Sequence, residues 1–440
     1  MTTTTPLAAA VGPTVVQGEV GLALVDQYRA VRGATETLAA PLSPEDCCVQ
    51  SMTDCSPTKW HLAHTTWFFE AIVLGPHLAG YRDYHPQFAY LFNSYYNTLG
   101  ERVARPSRGL MTRPSLDEVY AYRRHVDRAM EQLFDTADDA LGQTVDPLIT
   151  IGLNHEQQHQ ELLLTDVKHL LAQNPLGPIY QDRNSGKALK LRPVEWMTCP
   201  GGVHTIGHAG EGFAYDNEGP RHEVLLRPFA LASRPTTNGE YIAFVEDGGY
   251  REPTLWLDAG WAAVNEHGWE APGYWQKRDG QWWQFTLAGM QRLIETEPVT
   301  HLSYFEADAF ARWMGRRLPT EAEWEVASRA IPDEAIAGNF AETRRYHPAT
   351  VVAGEHATAP AGMFGDVWEW TQSHYSPYPG YRAEPGPLGE YNGKFMCGQF
   401  VLRGGSCATP VSHIRRTYRN FWGPDKRFQF SGVRLAEDRS

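Results

Sequence analysis

The chain lacks any run of about 18 apolar residues, the length a membrane-spanning helix needs, so no part of it is expected to cross a bilayer. Its six cysteines (Cys47, Cys48, Cys55, Cys199, Cys397 and Cys407) include no CxxC pair and no regular framework, and they read as free thiols of a reducing compartment. Positive charge is also in short supply. Against 52 Asp and Glu stand 39 Lys and Arg, and the formal net charge of −13 opposes non-specific attraction to DNA or anionic membranes. The first 20 residues, "MTTTTPLAAAVGPTVVQGEV", have neither a basic start nor an apolar stretch of a secretory leader, so residues 1–19 read as a disordered tail and the cytoplasm is the default location. No internal repeat and no nucleotide or flavin motif stands out, and nothing calls for an obligatory protein partner.

What is present is material for burial. At 440 residues, 42% hydrophobic and 12% aromatic, the chain predicts two globular domains. The first 175 residues carry apolar positions at helical spacing in "GLALVDQYRAVRGATETLAA", in 56–74, in "SLDEVYAYRRHVDRAMEQLF" (Ser115 as N-cap with Glu118 three later) and in "DPLITIGLNHEQQHQELLLTDVKHLLAQ", bounded by Asp146-Pro147 and Asn174-Pro175. Four such helices predict a four-helix bundle able to hold a metal between facing helices. From about residue 190 the texture becomes rich in Gly, Pro and Trp with short strands and one clear helix at "SYFEADAFARWMGRR", which predicts an irregular α+β domain.

Residues 155–159, "HEQQH", match the helical zinc-protease motif His-Glu-x-x-His, in which the i, i+4 spacing puts both imidazoles on one face. The protease reading fails on context. An extended motif would need Gly and His where Leu162 and Thr165 stand, and the helix runs into a Pro/Gly linker instead of reaching a later acidic ligand. Glu156, the would-be base, is then left to a supporting or surface position. A third ligand is offered by "SPTKWHLAHTTWFFE", where Trp60, His64 and Phe68 share a face and make His64 the inward residue, with His61 packing or capping nearby. Three neutral imidazoles leave a divalent ion at +2, able to take an anionic thiolate and dioxygen.

These stretches, with "FNSYYNTLGER", resemble the DinB-like bundle of the ergothioneine-biosynthetic sulfoxide synthases, the EgtB family. "DNEGPRHEV", "TNGEYIAFVEDGGY", "RRLPTEAEWEVASR", "FGDVWEWTQS", "LRGGSC" and "YRNFW…FSGVRLA" resemble the formylglycine-generating-enzyme (sulfatase-modifying factor) domain fused to it. The resemblance implies a helical bundle over 20–185 carrying the metal site and a C-type-lectin-like domain over 190–437, with the active site between them. It also implies Fe(II) held by His64, His155 and His159, and joining of a thiol sulfur to the imidazole C2 of hercynine with oxidation of that sulfur. Forming C–S from C–H and S–H releases two electrons, and S to S=O two more; one O₂ takes all four, so no reductant is needed. The small-molecule substrates implied are hercynine, cysteine and O₂.

By the same resemblance, one of Tyr95 and Tyr96 donates a proton at the iron, and the pair marks the cysteine-using branch. Gln158 and Asn420 hold hercynine, with Phe421 and Trp422 near its trimethylammonium. Arg105, with Arg102 beside it, binds a substrate carboxylate through its guanidinium fork. Trp422 departs from the Phe known in cysteine-using members, which leaves γ-glutamylcysteine or a seleno-sugar as alternative donors and unmethylated histidine as an alternative acceptor. Cys397 and Cys407 invite comparison with the copper cysteines of formylglycine-generating enzyme, but "KFMCGQF" and "GGSCATP" differ from its active-site stretch, so both read as structural. A lectin-like binding module without turnover and a hydrolase are the readings from other classes.

Overall fold

A computed structural model describes residues 22–183, 191, 193–210, 212–352 and 359–439, together with the backbone of 15–16. Four long helices build the first half. Helix α1 (Leu24–Ala39) and α2 (Thr58–Phe68) bury Tyr28 and Trp60, Trp67 and Phe68, respectively, in one apolar core. Helix α2 continues through a π-helical turn, Phe69–Leu74. Helix α3 (Leu116–Thr136) starts as the sequence predicts, with Ser115 Oγ accepting from the Glu118 N–H at 3.2 Å.

Helix α4 (Asp139–Ala172) differs from expectation. Its cap is Asp138, which accepts from the Leu141 N–H at 2.9 Å, and the helix runs straight through Asp146-Pro147. Proline lacks one ladder donor but does not force a stop. The real cap outweighs the proline as a boundary, while the end before Asn174-Pro175 is as read.

The second half is the mixed domain. Its central sheet runs in the order β3–β2–β1–β4, with β1 Trp368–His374, β2 Phe400–Arg403, β3 Asn420–Trp422 and β4 Ser431–Gly432; β4 is parallel to β1 and the other pairs are antiparallel. The expected helix is α7 (Tyr304–Trp313), capped reciprocally by Ser303 and Glu306. Three further helices were not legible: α5 (Asn238–Glu246), α6 (Asp258–His267) and α8 (Glu321–Ser328). Two of them open on complete capping boxes, Thr237 with Glu240 and Thr320 with Glu323. They are no longer than α7, and their apolar residues are less confined to one face than those of α7, so no helical period stands out in sequence.

Val15–Val16 pair antiparallel with Ala337–Gly338, so this part of the expected tail is a short strand. The rest of 1–19, and the linker expected at 185–190, lie outside the described residues. No helix among the described residues is long and apolar enough to cross a membrane.

The seam between the halves is itself a core. Leu163, Leu164, Val167 and Leu171 of α4 pack with Phe285, Leu287, Ala408 and Phe430 of the second domain. Polar ties accompany it. Glu161 accepts from Trp368 Nε1 (2.7 Å), Ser406 Oγ (2.6 Å) and Thr409 Oγ1 (2.7 Å), and Gln157 donates to Ser412 Oγ at 2.6 Å. The helix that carries HEQQH is thus wedged against the second domain, and residues from both sides face one space.

Candidate active site

His64 from α2 and His155 and His159 from α4 converge, all buried, with one ligand nitrogen of each within 4.8 Å of the others. The His64 and His155 Nε2 atoms face each other at 3.2 Å. Each supporting contact selects the nitrogen left over. His64 donates from Nδ1 to the Phe92 carbonyl at 2.6 Å, which leaves Nε2. His159 Nδ1 meets His61 Nδ1 at 2.8 Å, and His61 Nε2 meets Asp166 Oδ2 at 2.9 Å. The His159 Nε2 is left in turn. The His155 Nδ1 has no partner.

Burial keeps the three imidazoles uncharged. It holds His64 and His159 well below the usual histidine range, with like charge on their neighbours adding to it, and pulls His155 down to about 4. Neutral imidazoles with inward lone pairs are what a nitrogen-preferring divalent ion requires, so the donor set fits a metal.

Glu156 does not join them. One helical position on from His155, it is fully buried on another face and accepts from Arg32 Nη1 (2.9 Å) and Arg123 Nη2 (3.1 Å). The two guanidinium groups, outweighing burial, keep its carboxyl low. That pairing leaves no protease base beside the ion, and it also corrects the surface alternative for Glu156.

Gln158, the neighbour of His159 on α4, lines a cavity of about 360 Å³ between the domains. Tyr95, Arg105, Gln158, Asn420, Phe421 and Trp422 all line it. Tyr95 Oη accepts from Arg105 Nη1 at 3.2 Å, and the Arg105 Nε is buried without a partner. Gln158 donates to Tyr418 Oη at 2.6 Å and accepts from Tyr391 Oη. The Asn420 Oδ1 accepts from the Phe421 N–H at 2.9 Å, which leaves its amide NH₂ to offer. Phe421 stacks on Tyr375 (centroids 4.1 Å apart) and Trp422 lies edge-on to Phe428.

Two expected residues sit elsewhere. Arg102 is exposed, bonds Asn97 Oδ1 and does not line the cavity. Its position three residues from Arg105 falls in an extended segment, before the 3₁₀ turn Arg105–Leu110, so spacing did not place both on one face. Tyr96 is buried against Trp67 and Phe68 and walls a separate space of about 140 Å³ with His155 and Tyr391; burial raises its phenol pKa. Of the two cysteines, Cys407 is buried in the seam as a structural thiol would be, whereas Cys397 is exposed and lines the larger cavity.

Sequence reasoning missed Tyr391, Tyr418, Asp54 and Lys426. Tyr391 lies edge-on to His155 with centroids 5.7 Å apart, and Lys426 pairs with Asp54 at 2.9 Å on the cavity wall. Tyr418 opens the quoted stretch YRNFW, two residues before Asn420, but nothing in the sequence gives it a partner on α4; the other three are placed by the meeting of the domains.

Residues 27–163 match the DinB superfamily, and residues 183–439 match the sulfatase-modifying factor enzyme 1-like domain. Fold and site therefore define a two-domain protein in which a DinB-type bundle carries a histidine cluster against a sulfatase-modifying-factor domain. The chain is 35% identical over 418 residues to a hercynine oxygenase of Mycolicibacterium thermoresistibile, covering 87% of each chain. It is 33% identical over 413 residues to a hercynine oxygenase of Mycolicibacterium smegmatis, covering 87% of this chain and 91% of the relative. A formylglycine-generating enzyme of Streptomyces coelicolor is 33% identical over 302 residues, covering 60% of this chain and 92% of that enzyme. The chain belongs to the hercynine oxygenase family and is an oxidoreductase.

Proposed function

We propose that the protein is an iron(II)- and dioxygen-dependent sulfoxide synthase that joins the sulfur of cysteine to the imidazole C2 of hercynine, in ergothioneine biosynthesis. The observation that carries this reading is the convergence of three neutral, buried imidazoles, with Gln158, the neighbour of His159, lining a cavity shared by both domains. The names of the relatives supply the acceptor, hercynine.

Bound by His64, His155 and His159, iron(II) would supply the redox chemistry that activates O₂ toward the thiol. The overall step breaks one imidazole C–H and one S–H bond, forms C–S and S=O, and reduces O₂ by four electrons to the sulfoxide oxygen and one water. The chain's own groups bind and orient. Arg105, with an unpartnered Nε, receives a carboxylate through its fork. Asp54 and Lys426 offer a matching pair of charges for the ammonium and carboxylate ends of an amino acid. Gln158 and Asn420 offer amides from opposite domains, and Phe421 and Trp422 offer aromatic faces suited to a quaternary ammonium. Tyr95 holds a proton at Oη on the cavity wall, where Arg105 fixes the phenol. It is the member of the pair assigned to proton donation, because it shares the cavity with the proposed substrate contacts Arg105, Gln158 and Asn420, whereas Tyr96 walls the smaller space beside His155.

Incubation of the Fe(II)-loaded protein with hercynine and each of cysteine, γ-glutamylcysteine and a seleno-sugar, followed by mass spectrometry, tests the reading. Product with cysteine supports it. Product only with the seleno-sugar reassigns the donor, and product from unmethylated histidine in place of hercynine reassigns the acceptor.

A further inference from the structure

Arg108, three residues beyond Arg105, is 4% exposed and forms no ion pair among the described residues. Its guanidinium carbon lies over Trp60, 3.4 Å from the ring centroid, and Trp60 in turn stacks on His64 with centroids 4.4 Å apart and planes 14° from parallel. Its two terminal nitrogens donate to Ser56 Oγ and Ser94 Oγ, each at 2.9 Å, and Nε has no partner. Burying a cation without a carboxylate contact is costly, so a residue of this kind is retained for what it holds in place.

What it holds can be traced. Ser56, which takes one arm of the fork, donates its own backbone N–H to Asp166 Oδ2 at 2.8 Å. The same Asp166 oxygen meets His61, and His61 meets His159. One chain of contacts therefore runs from Arg108 through Trp60 to His64, and a second runs through Ser56, Asp166 and His61 to His159. The first chain starts over the guanidinium carbon and the second at one of its N–H edges, and they end on two different ligands.

We infer that Arg108 is a positioning residue of the metal centre, fixing the orientations of His64 and His159 relative to each other through Trp60 and Ser56. This rests on the proposed metal site, and it assigns no contact with substrate to Arg108. Groups in direct contact with ligand imidazoles typically govern metal affinity by tenfold to a hundredfold, and Arg108 acts through two of them, Trp60 and His61.

The test uses the full-length apoprotein titrated with Co(II) against a competing chelator, with the visible ligand-field spectrum recorded at saturation. R108K keeps the charge, so the electrostatics between this site and the ion stay the same, but an ammonium cannot lie over Trp60 while reaching both serines. The expected result is about a tenfold loss of Co(II) affinity and ligand-field bands shifted or broadened by the changed ligand geometry. R108K affinity within about twofold of the parent, with a superposable spectrum, would overturn the inference. Should R108K not fold, S94A removes one arm's acceptor and leaves the guanidinium in place. A loss of about threefold or more with an altered spectrum is then expected, and an unchanged affinity and spectrum overturns the inference. Both readouts are independent of hercynine turnover. A parent that binds Co(II) but, loaded with Fe(II), makes no product contradicts the proposed reaction alone.

Discussion

At the scale of single residues, two of the three proposed ligand imidazoles, His64 and His159, depend on a neighbour that fixes which nitrogen they offer. His61→Ala leaves all three ligands in place but cuts the chain from Asp166 to His159. The expected outcome is a metal affinity lower by about tenfold to a hundredfold with the fold intact, read by chelator competition. His64→Ala removes a ligand outright and should abolish stoichiometric metal binding and turnover together; nearly normal activity would contradict the ligand set. Tyr95→Phe and Tyr96→Phe should also part company. The first should lower kcat sharply with its effect on the proton-transfer step, and the second should cost mainly packing, because Tyr96 is buried against Trp67 and Phe68. Much of this scale was legible: i, i+4 spacing brought His155 and His159 together, and the shared face of Trp60 and His64 selected the third. The partners of Glu156 were not, since Arg32 and Arg123 stand on other helices, 124 and 33 residues away.

At the scale of elements, α4 carries ligands on one turn and seam contacts on the next. Two turns beyond His159, Lys168 is fully buried with Nζ 2.5 Å from His301 Nε2 across the domain seam, and the Tyr274 and Phe430 rings lie 5.0 and 4.9 Å away. Burial pulls the amine down to about 7, against about 10.4 for a free lysine. The unfolded chain therefore binds more protons than the folded one between those values, and this group's contribution to stability rises as pH climbs from about 7 toward 10. Below 7 the folded state holds a buried charge at full cost. K168M should flatten that part of the stability–pH curve, measured by denaturant unfolding, and should be relatively more stable below pH 7 than above 9. A parent curve without the rise would contradict the account. Element boundaries were read well where caps and periodicity agreed, as in α3 and α7. They were misread where a proline inside α4 outweighed the true cap at Asp138, and where α5, α6 and α8, less amphipathic than α7, showed no clear period.

At the scale of the whole molecule, the function depends on two domains closing on one space. The order of motifs along the sequence made both folds legible through family resemblance, but not the contacts across the seam, because each half of such a contact looks like an ordinary polar residue. Glu161 is the clearest instance: one carboxylate of the metal helix accepts from Trp368, Ser406 and Thr409 of the second domain. At about 1–3 kcal/mol for each buried donor left without a partner, E161A should lower Tm markedly and raise KM by loosening the cavity. E161Q, which keeps the volume and one acceptor oxygen, should lose less. Equal Tm for E161A and the parent would show that the seam does not rely on this contact.

The central claim is that the histidine cluster and the shared cavity together perform oxidative carbon–sulfur bond formation. Its most direct test is mass spectrometry of an aerobic reaction containing the Fe(II)-loaded protein, hercynine and cysteine. A product with the mass of hercynine plus cysteine, less two hydrogens and plus one oxygen, formed with one O₂ consumed per product, is the predicted result. Unchanged hercynine and unconsumed O₂, from protein shown to hold its iron, would contradict it.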